Sequence, residues 1–333
     1  MTIVDIAKES GYSVSTVSRV LNGRRDVSPA ARKKIMEIVD EHQFVPNNNA
    51  KHLKQSVSKS ILILAKGTSN MLFSNIIEAV QVILEKSNYT LRVNYLDEEA
   101  NEVSEAIRVC REHKPMGILF LGSNAEYFKE QFAQVHVPCV LVTDRGDELE
   151  FDNLASVSTD DVAAAEMAVD YLFDHGHRNI AVIGGDMALS SPSKYRKIGA
   201  KRSFIKHGFE FDDSYYATAR FSYESAYNAM NRLLASKRSI TAVFAMSDVM
   251  AVGAMRAIFD AGLRVPEDIS VIGFDGTLLA DYFNPKIVTV CQNQEEIARK
   301  SIDLLFGMID LNKPATHELV PFALKNTESV CSI

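Results

Sequence analysis

From Ser60 onward, short apolar runs alternate with longer stretches of helical periodicity. One series begins with "SILILA" (60–65) and a helical stretch near 74–87, and a second begins with a helical stretch near 160–175 and "NIAVIGG" (179–185) after a break near 145–158. Continuous apolar runs separated by helices are typical of parallel strands that helices cover on both faces. Because two such series are too long for one sheet, the sequence predicts two similar α/β lobes. A ligand is expected in the cleft that faces the carboxyl ends of their strands.

The first 45 residues have a different pattern, which predicts three short helices. Boundary signals mark each of them: Thr2 and Asp5 as a capping box with Gly11 after the first helix, Ser13 before the second, and Ser28 with Pro29 before the third. The second helix, "SVSTVSRVLNG" (13–23), is rich in mediocre helix formers, yet its apolar residues recur at helical spacing. Two short helices joined by a tight turn and backed by a third are typical of a helix-turn-helix, whose second helix enters the DNA major groove.

Charge is distributed unevenly between these two parts of the chain. Residues 1–60 hold ten Lys or Arg and six Asp or Glu, a net charge of +4, whereas the whole 333-residue chain has a net charge of −7, so the remainder carries −11. A basic segment joined to an acidic body is typical of a module that binds a polyanion such as DNA.

Several other classes of protein lack their signatures in this sequence. No apolar run reaches the roughly 18 residues of a transmembrane helix, and the start "MTIVDIAKES" is unlike a signal peptide, so a cytoplasmic protein is expected. Its four isolated cysteines, with no CxxC pair, predict neither a zinc site nor disulfides. The lack of a GxSxG sequence, a Walker lysine loop and a cluster of metal ligands argues against an enzyme and against a metal or cofactor site.

Nine segments spread along the chain form a recognisable combination: "TIVDIAKESGYSVSTVSRVLNG", "SPAARKKIMEIVDEHQFVPN", "AKHL", "VTDRG", "HGHRNIAVIGG", "RKIG", "SDVMAVGAMRAI", "GLRVPEDISVIGFDG" and "NQEEIARKSIDLL". With them the sequence resembles the lactose-repressor (LacI/GalR) family of bacterial transcription regulators over essentially its whole length. The resemblance implies an N-terminal all-α helix-turn-helix domain and a two-lobed α/β core like that of periplasmic binding proteins. It also implies a homodimeric repressor that binds a pseudo-palindromic DNA operator and is controlled by a small effector.

The expected domains follow from the alternation and from the resemblance. They are a helix-turn-helix domain (1–45), a hinge helix or linker (46–57), a first lobe (58–157 and 288–316) and a second lobe (158–287 and 317–333). The hinge has little apolar surface of its own and is expected to become ordered only against a partner. The helical stretch near 74–87 matches the dimer face of the family.

For the second helix, the resemblance implies base contacts by Val14, Ser15 and Arg19. Arginine donates two hydrogen bonds to guanine O6 and N7, and valine or serine contacts a thymine methyl group or a base edge. Three small polar side chains suit phosphate contacts that fix the position of the protein on DNA: Thr16, Ser18 and Asn22.

For the hinge, the resemblance implies contacts in the minor groove. Leu53 matches a leucine that the family inserts between base pairs, and Ala50 and Lys54 match positions that touch the same groove. Asn49 departs from the small apolar residue that is usual there, so the packing of the two hinges against each other is expected to be weaker or partly polar.

For the cleft, the resemblance assigns effector binding to six residues: Phe73, Asp144, Arg196, Phe221, Asp248 and Asp275. Phe73 is expected in the loop after the first strand. The set suits a sugar or sugar derivative, because carboxylates accept hydrogen bonds from hydroxyls, arginine donates them, and aromatic rings stack on a sugar ring. The alternatives are an N-cap role for Asp248 and an ion pair of Asp144 with Arg145.

Two departures from the family leave the effector class open. Ser247 stands where an asparagine is common, and Gly276 stands where an acid or amide is common. Both remove potential contacts to ligand hydroxyls, so a nucleobase, or a phosphoprotein partner in place of a small ligand, is an alternative. A sugar-binding transport protein shares the core, but the helix-turn-helix and the lack of a signal peptide argue against it.

Overall fold

The computed structural model describes residues 2–21, 24, 26–42, 59–67 and 70–333. The chain divides into two compact units, Met1–Val57 and Ser58–Ile333, here called the N-terminal unit and the core. Within the described residues, no helix combines the length and the apolar character needed to cross a membrane.

The described part of the N-terminal unit consists of three helices: α1 (Ile3–Ser10), α2 (Val14–Leu21) and α3 (Pro29–Glu41). The predicted capping box is confirmed, since Thr2 N donates to Asp5 Oδ2 at 2.8 Å and Asp5 N donates to Thr2 Oγ1 at 3.3 Å. Gly11, with a φ of 73°, ends α1 as predicted, and Ser28 caps α3. Apolar side chains from all three helices form one core: Ile6, Ala7, Val17, Val20, Ile35, Ile38 and Val39. Packing therefore holds α2, whose composition alone favours a helix only weakly.

The core contains strands and helices in alternation, as the sequence predicts. Its strands are β1 (Ser60–Lys66), β2 (Thr90–Leu96), β3 (Gly117–Leu121), β4 (Cys139–Val142), β5 (Leu154–Thr159), β6 (Ile180–Gly184), β7 (Tyr216–Thr218), β8 (Ala242–Ala245), β9 (Ser270–Asp275), β10 (Val288–Gln292), β11 (His317–Val320) and β12 (Phe322–Lys325). Its helices are α4 (Met71–Leu84), α5 (Glu102–His113), α6 (Ala125–Gln131), α7 (Asp161–Asp174), α8 (Ser191–Lys206), α9 (Tyr223–Ala235), α10 (Asp248–Asp260), α11 (Leu278–Tyr282) and α12 (Gln294–Leu311), with 3₁₀ turns at Phe132–Gln134 and Asp213–Tyr215.

Two six-stranded sheets divide the core into two lobes. The first lobe has the strand order β11-β5-β4-β3-β1-β2 and is parallel throughout, and the second has the order β12-β10-β9-β8-β6-β7 with only β12 antiparallel. The chain passes between the lobes three times, from β5 to α7, from β10 to α12 and from β11 to β12. All three crossings lie at the same edge of the sheets, and β2 and β7 form the opposite edge.

The pairing of two late strands corrects the predicted lobe boundaries. β10 (Val288–Gln292) lies in the second lobe, with Val288 opposite Ile272 of β9, although residues from 288 onward were expected in the first. β11 (His317–Val320) lies in the first lobe, with His317 opposite Ser156 of β5, although residues from 317 onward were expected in the second. The first lobe also keeps β5 up to Thr159, beyond the predicted boundary at 157. Local sequence carries no signal for which of two sheets a short strand joins.

Candidate functional site

Helix α2 has one side in the core of the N-terminal unit and another side exposed to solvent. Val17 and Val20 have 0% and 3% of their surface exposed, whereas Val14 in the first turn has 42% exposed. Ser15 and Arg19 are also exposed and, four residues apart, lie on the same side of the helix. The three residues with predicted base contacts are therefore available to a partner.

Hydrogen bonds organise the start of α2. The Ser13 hydroxyl lies 2.8 Å from the Ser15 hydroxyl and 2.9 Å from the Thr16 hydroxyl, and it accepts a hydrogen bond from Thr16 N at 3.2 Å. Arg19 Nη1 lies 3.7 Å from Asp26 Oδ2, and both side chains are about 60% exposed. Such an exposed ion pair contributes roughly 0–1 kcal/mol, so Arg19 can exchange Asp26 for another acceptor at little cost.

The remaining predicted DNA contacts fall into two groups. Ser18, in α2, is half-buried. Four of them lie outside the residues that the structure describes, namely Asn22, Ala50, Leu53 and Lys54. Asn49, where the sequence departs from the family, also lies outside the described residues.

In the core, a cleft of about 300 Å³ lies between the two lobes. Four of the six predicted effector residues line it: Phe73 from the first lobe and Arg196, Phe221 and Asp275 from the second. Phe73 lies in the first turn of α4 and not in the preceding loop, because Asn70 starts the helix there by accepting a hydrogen bond from Leu72 N at 3.0 Å.

Arg196 and Asp275 form a buried charged group on the second-lobe wall. Arg196 Nε donates to Asp161 Oδ1 at 2.7 Å, and its Nη1 donates to the Met246 carbonyl at 2.5 Å and lies 3.8 Å from Asp275 Oδ1. Asp275, the last residue of β9, accepts a hydrogen bond from Gln292 Nε2 at 2.8 Å. Burial raises the pKa of Asp275, and the neighbouring Arg196 opposes that rise. Both side chains are thus oriented before a ligand arrives.

Asp144 lies behind the cleft wall, with 2% of its surface exposed. Its Oδ2 accepts a hydrogen bond from Ser123 N at 2.6 Å, while its Oδ1 and the Ser123 hydroxyl are buried without a hydrogen-bond partner among the described residues. Burial raises the pKa of Asp144 to about 8. The predicted alternative, an ion pair with Arg145, is wrong, because Arg145 pairs with Asp147 at 2.6 Å.

Asp248 also lies behind the wall and is fully buried. Its Oδ2 accepts hydrogen bonds from Thr277 N at 2.7 Å and from Thr277 Oγ1 at 2.9 Å, and its Oδ1 accepts one from Thr289 Oγ1 at 2.6 Å. The N-cap alternative is wrong, because the cap of α10 is Ser247, whose hydroxyl accepts from Met250 N at 3.1 Å. The serine at 247 therefore has a structural role, and Asp248 ties α10 to the segments that follow β9 and begin β10.

Five charged residues that line the cleft were missed by the sequence reasoning: Lys66, Glu98, Glu99, Asp186 and Arg220. Each stands at the carboxyl end of a strand or within a few residues after it, namely β1, β2, β6 or β7. The rule that ligands bind outside the carboxyl ends of parallel strands, applied to every strand in turn, would have found them.

The two edges of the cleft are closed in different ways. At the edge formed by β2 and β7, Arg220 Nη2 lies 2.7 Å from Asp97 Oδ2 and its Nε lies 3.4 Å from Glu98 Oε2. At the edge where the chain crosses, Thr159 Oγ1 donates to Gln292 Oε1 at 2.9 Å. Rotation of the lobes about the crossings would therefore separate Arg220 from its two partners first.

Comparison with known proteins gives matches to both units. Residues 2–47 match the family described as "bacterial regulatory proteins, lacI family". Residues 169–330 match the family described as "periplasmic binding protein-like domain". The HTH-type transcriptional regulator MalR of Clostridium butyricum is 34% identical over 342 residues, which cover 100% of each chain. Two solved structures share the fold: a transcriptional regulator CelR–cellobiose complex (24% identity, 99% of each chain, TM-score 0.71), and the lac repressor dimer bound to operator and the anti-inducer ONPF (23% identity, 100% of this chain and 99% of that one, TM-score 0.71).

Proposed function

This chain belongs to the LacI family of bacterial regulatory proteins, and we propose that it is a repressor that binds a pseudo-palindromic operator as a homodimer. In this proposal, a sugar or sugar derivative in the cleft sets the operator affinity, and the protein acts in the cytoplasm, where its DNA lies. Members of the family are DNA-binding transcriptional regulators and not enzymes. The observation that carries the proposal is the exposed surface of α2 with Val14, Ser15 and Arg19.

At the DNA, α2 enters the major groove and Arg19 forms a two-pronged hydrogen bond with guanine O6 and N7. Such a pair contributes about 1–3 kcal/mol of discrimination against other bases. Val14 and Ser15 contact a thymine methyl group or a base edge. Because their side chains are short, the helix backbone lies close to the base pairs, and the phosphate contacts of Thr16, Ser18 and Asn22 fix its position.

The hinge (46–57), at the end of the N-terminal unit, contacts the minor groove. Leu53 inserts between base pairs at the centre of the operator, and Ala50 and Lys54 contact the same groove. Unstacking costs a few kcal/mol, which contacts to the bent DNA offset. The hinge is thereby the element through which a change in the core reaches the DNA.

In the core, the ligand binds between the walls formed by Phe73, Phe221, Arg196 and Asp275. The two rings pack on the apolar face of a sugar, and the charged pair forms hydrogen bonds with hydroxyl groups. Asp144 and Asp248 support the wall from behind. The choice of a sugar is supported by the CelR–cellobiose complex, a regulator of the same fold that holds a carbohydrate.

Exposed apolar side chains on two helices support a homodimer. Val82 of α4 has 52% of its surface exposed, and Leu278 and Tyr282 of α11 have 61% and 84% exposed. Leu278 and Tyr282 are four residues apart, so they lie on the same side of α11. Clustered apolar groups of this kind mark protein–protein surfaces, and a structure of the same fold is described as a dimer on its operator.

Selection of binding sites from a random double-stranded DNA pool tests the proposal, followed by a gel-shift titration of the selected operator. Arg19→Ala is expected to weaken operator binding by about 1–3 kcal/mol, or roughly 5–150-fold. Arg19→Lys keeps the charge but loses the paired hydrogen bonds, so it should lose most of the specificity and less of the affinity. The control Lys8→Ala removes a charge from α1 of the same unit. If Arg19→Ala binds the operator like the parent, or if the pool yields no common sequence, the assignment of α2 is wrong.

A further inference from the structure

Three cations line the cleft, and each of them already faces a carboxylate. Lys66 Nζ lies 3.0 Å from Glu102 Oε2, and these side chains are only 6% and 1% exposed. Arg196 is bound to Asp161 at 2.7 Å, with side chains 4% and 2% exposed. A ligand that attracts either cation must compete with a buried acid partner.

The third cation, Arg220, is half-exposed and bridges the lobes through Asp97 and Glu98. An anionic ligand that took Arg220 from these acids would also release the bridge at that edge of the cleft. All three cations are therefore held by the protein's own carboxylates.

The carboxylates that line the cleft are less completely paired with cations. Glu99 and Asp186 line it, and across the described ranges neither forms an ion pair with Lys, Arg or His. Glu98 and Asp275 line it as well, each sharing a cation with a second acid. The cleft is thus lined by four carboxyl groups and three cations, and all three cations already face a carboxylate of the protein.

From this arrangement we infer that the effector carries no anionic group and is rich in hydrogen-bond donors: a neutral carbohydrate or its amino derivative, and not a sugar phosphate or uronate. The inference rests on the proposed function, in which the cleft holds the effector. A phosphate that captured Lys66 or Arg196 would leave Glu102 or Asp161 buried without its counter-ion, which is strongly unfavourable. Hydroxyl and ammonium groups instead donate to Glu99, Asp186 and Asp275 without breaking a pair.

A second observation on the first-lobe wall agrees with this. The hydroxyl of Ser123, a residue that lines the cleft, and the Oδ1 atom of Asp144 behind it are both buried without a partner among the described residues. Asp144 faces no cation at hydrogen-bond distance in the described part of the chain. A ligand hydroxyl, which both donates and accepts hydrogen bonds, can satisfy either of these two groups, whereas a phosphate or carboxylate can only accept.

The test compares carbohydrates that differ only in charge, using the full-length protein. The neutral probes are glucose, galactose, ribose, cellobiose and maltose. The amino forms are glucosamine and galactosamine, and the anionic forms are glucose 6-phosphate, glucuronate, galacturonate, ribose 5-phosphate, cellobiose 6′-phosphate and maltose 6′-phosphate. Because the chain has no tryptophan, scanning and titration calorimetry are suitable readouts. At least one neutral or amino probe should raise the Tm by about 5 °C at saturation, and its anionic counterpart should bind at least about 100-fold more weakly.

The outcomes separate this inference from the function on which it rests. Tight binding of an anionic probe, with its neutral form weaker, overturns the inference and leaves a sugar-controlled repressor intact. No binding by any probe overturns the sugar effector and the inference together, while operator selection still tests the DNA-binding part.

A pair of variants tests whether the acids cause the discrimination. Glu99→Gln with Asp186→Asn should reduce the preference for the neutral over the anionic probe by about tenfold. Glu210→Gln, which removes an exposed acid outside the cleft, should leave it unchanged. An unchanged preference in the double variant contradicts the inference.

Discussion

Replacement of Asp248 distinguishes a residue that supports the cleft wall from one that binds the ligand. Asp248→Ala leaves three buried donors without an acceptor: Thr277 N, Thr277 Oγ1 and Thr289 Oγ1. At about 1 kcal/mol for each, the expected destabilisation is about 3 kcal/mol. The lower end of the range for an unpaired buried donor applies because burial already disfavours the ionised carboxylate and raises the pKa of Asp248 to about 6.

Asp248→Asn is the matched control for this change. The amide oxygen can accept both hydrogen bonds from Thr277, and the amide nitrogen can donate to the Thr289 hydroxyl, so the network survives with a change within about 1 kcal/mol. Scanning calorimetry should show a loss of roughly 6–12 °C in the Tm of the core for Asp248→Ala and a small shift for Asp248→Asn. Equal Tm losses for both variants, or none for Asp248→Ala, would refute the reasoning. Loss of ligand binding by a stably folded Asp248→Asn would restore the effector role that the sequence suggested.

Three further predictions concern the hinge, the first-lobe wall and the second-lobe wall. Leu53→Ala should weaken operator binding and reduce the bend of the DNA, measured by energy transfer between dyes at the operator ends; a parent-like bend rules out insertion of Leu53. The folded-state pKa of Asp144, about 8, lies above its ordinary value of 3.8. The folded state therefore favours the protonated carboxyl, and its contribution to stability is complete below about pH 4 and is lost as the pH rises towards 8. The Tm of Asp144→Asn relative to the parent should therefore increase from pH 5 to pH 8.5, and a constant difference contradicts the buried acid. Asp275→Asn should remove most of the thermal shift given by the effector, and an unchanged shift would remove Asp275 from the binding site.

Much of the fold follows from local physical chemistry. The capping box at Thr2 and Asp5, the turn at Gly11 and the cap at Ser28 act over four residues or fewer, so the sequence alone places α1 and α3. The continuous apolar run of β1 is buried at every position, as expected of a strand covered on both faces. The lobe membership of β10 and β11 depends on pairing between segments that are distant in the chain, and each strand lies in the lobe opposite to the predicted one.

The candidate site is less predictable because its partners are far apart in the chain. Whether Asp248 faces the cleft depends on Thr277 and Thr289, and no local pattern connects these residues to it. Gly276 was interpreted as a lost ligand contact, but its φ is 69° and a Cβ there would lie 2.6 Å from Cys291 Cα. The glycine is required by this close approach of two backbones.

The central claim is that ligand binding in the cleft changes operator affinity, and one titration tests it directly. Fluorescence anisotropy gives the operator Kd of the full-length protein with and without a saturating concentration of the carbohydrate found by calorimetry. A coupling of about 1–3 kcal/mol predicts a 5–150-fold change in this Kd, and operator DNA should change the carbohydrate affinity by the same factor. An operator Kd that stays the same while calorimetry shows the ligand bound would contradict the claim.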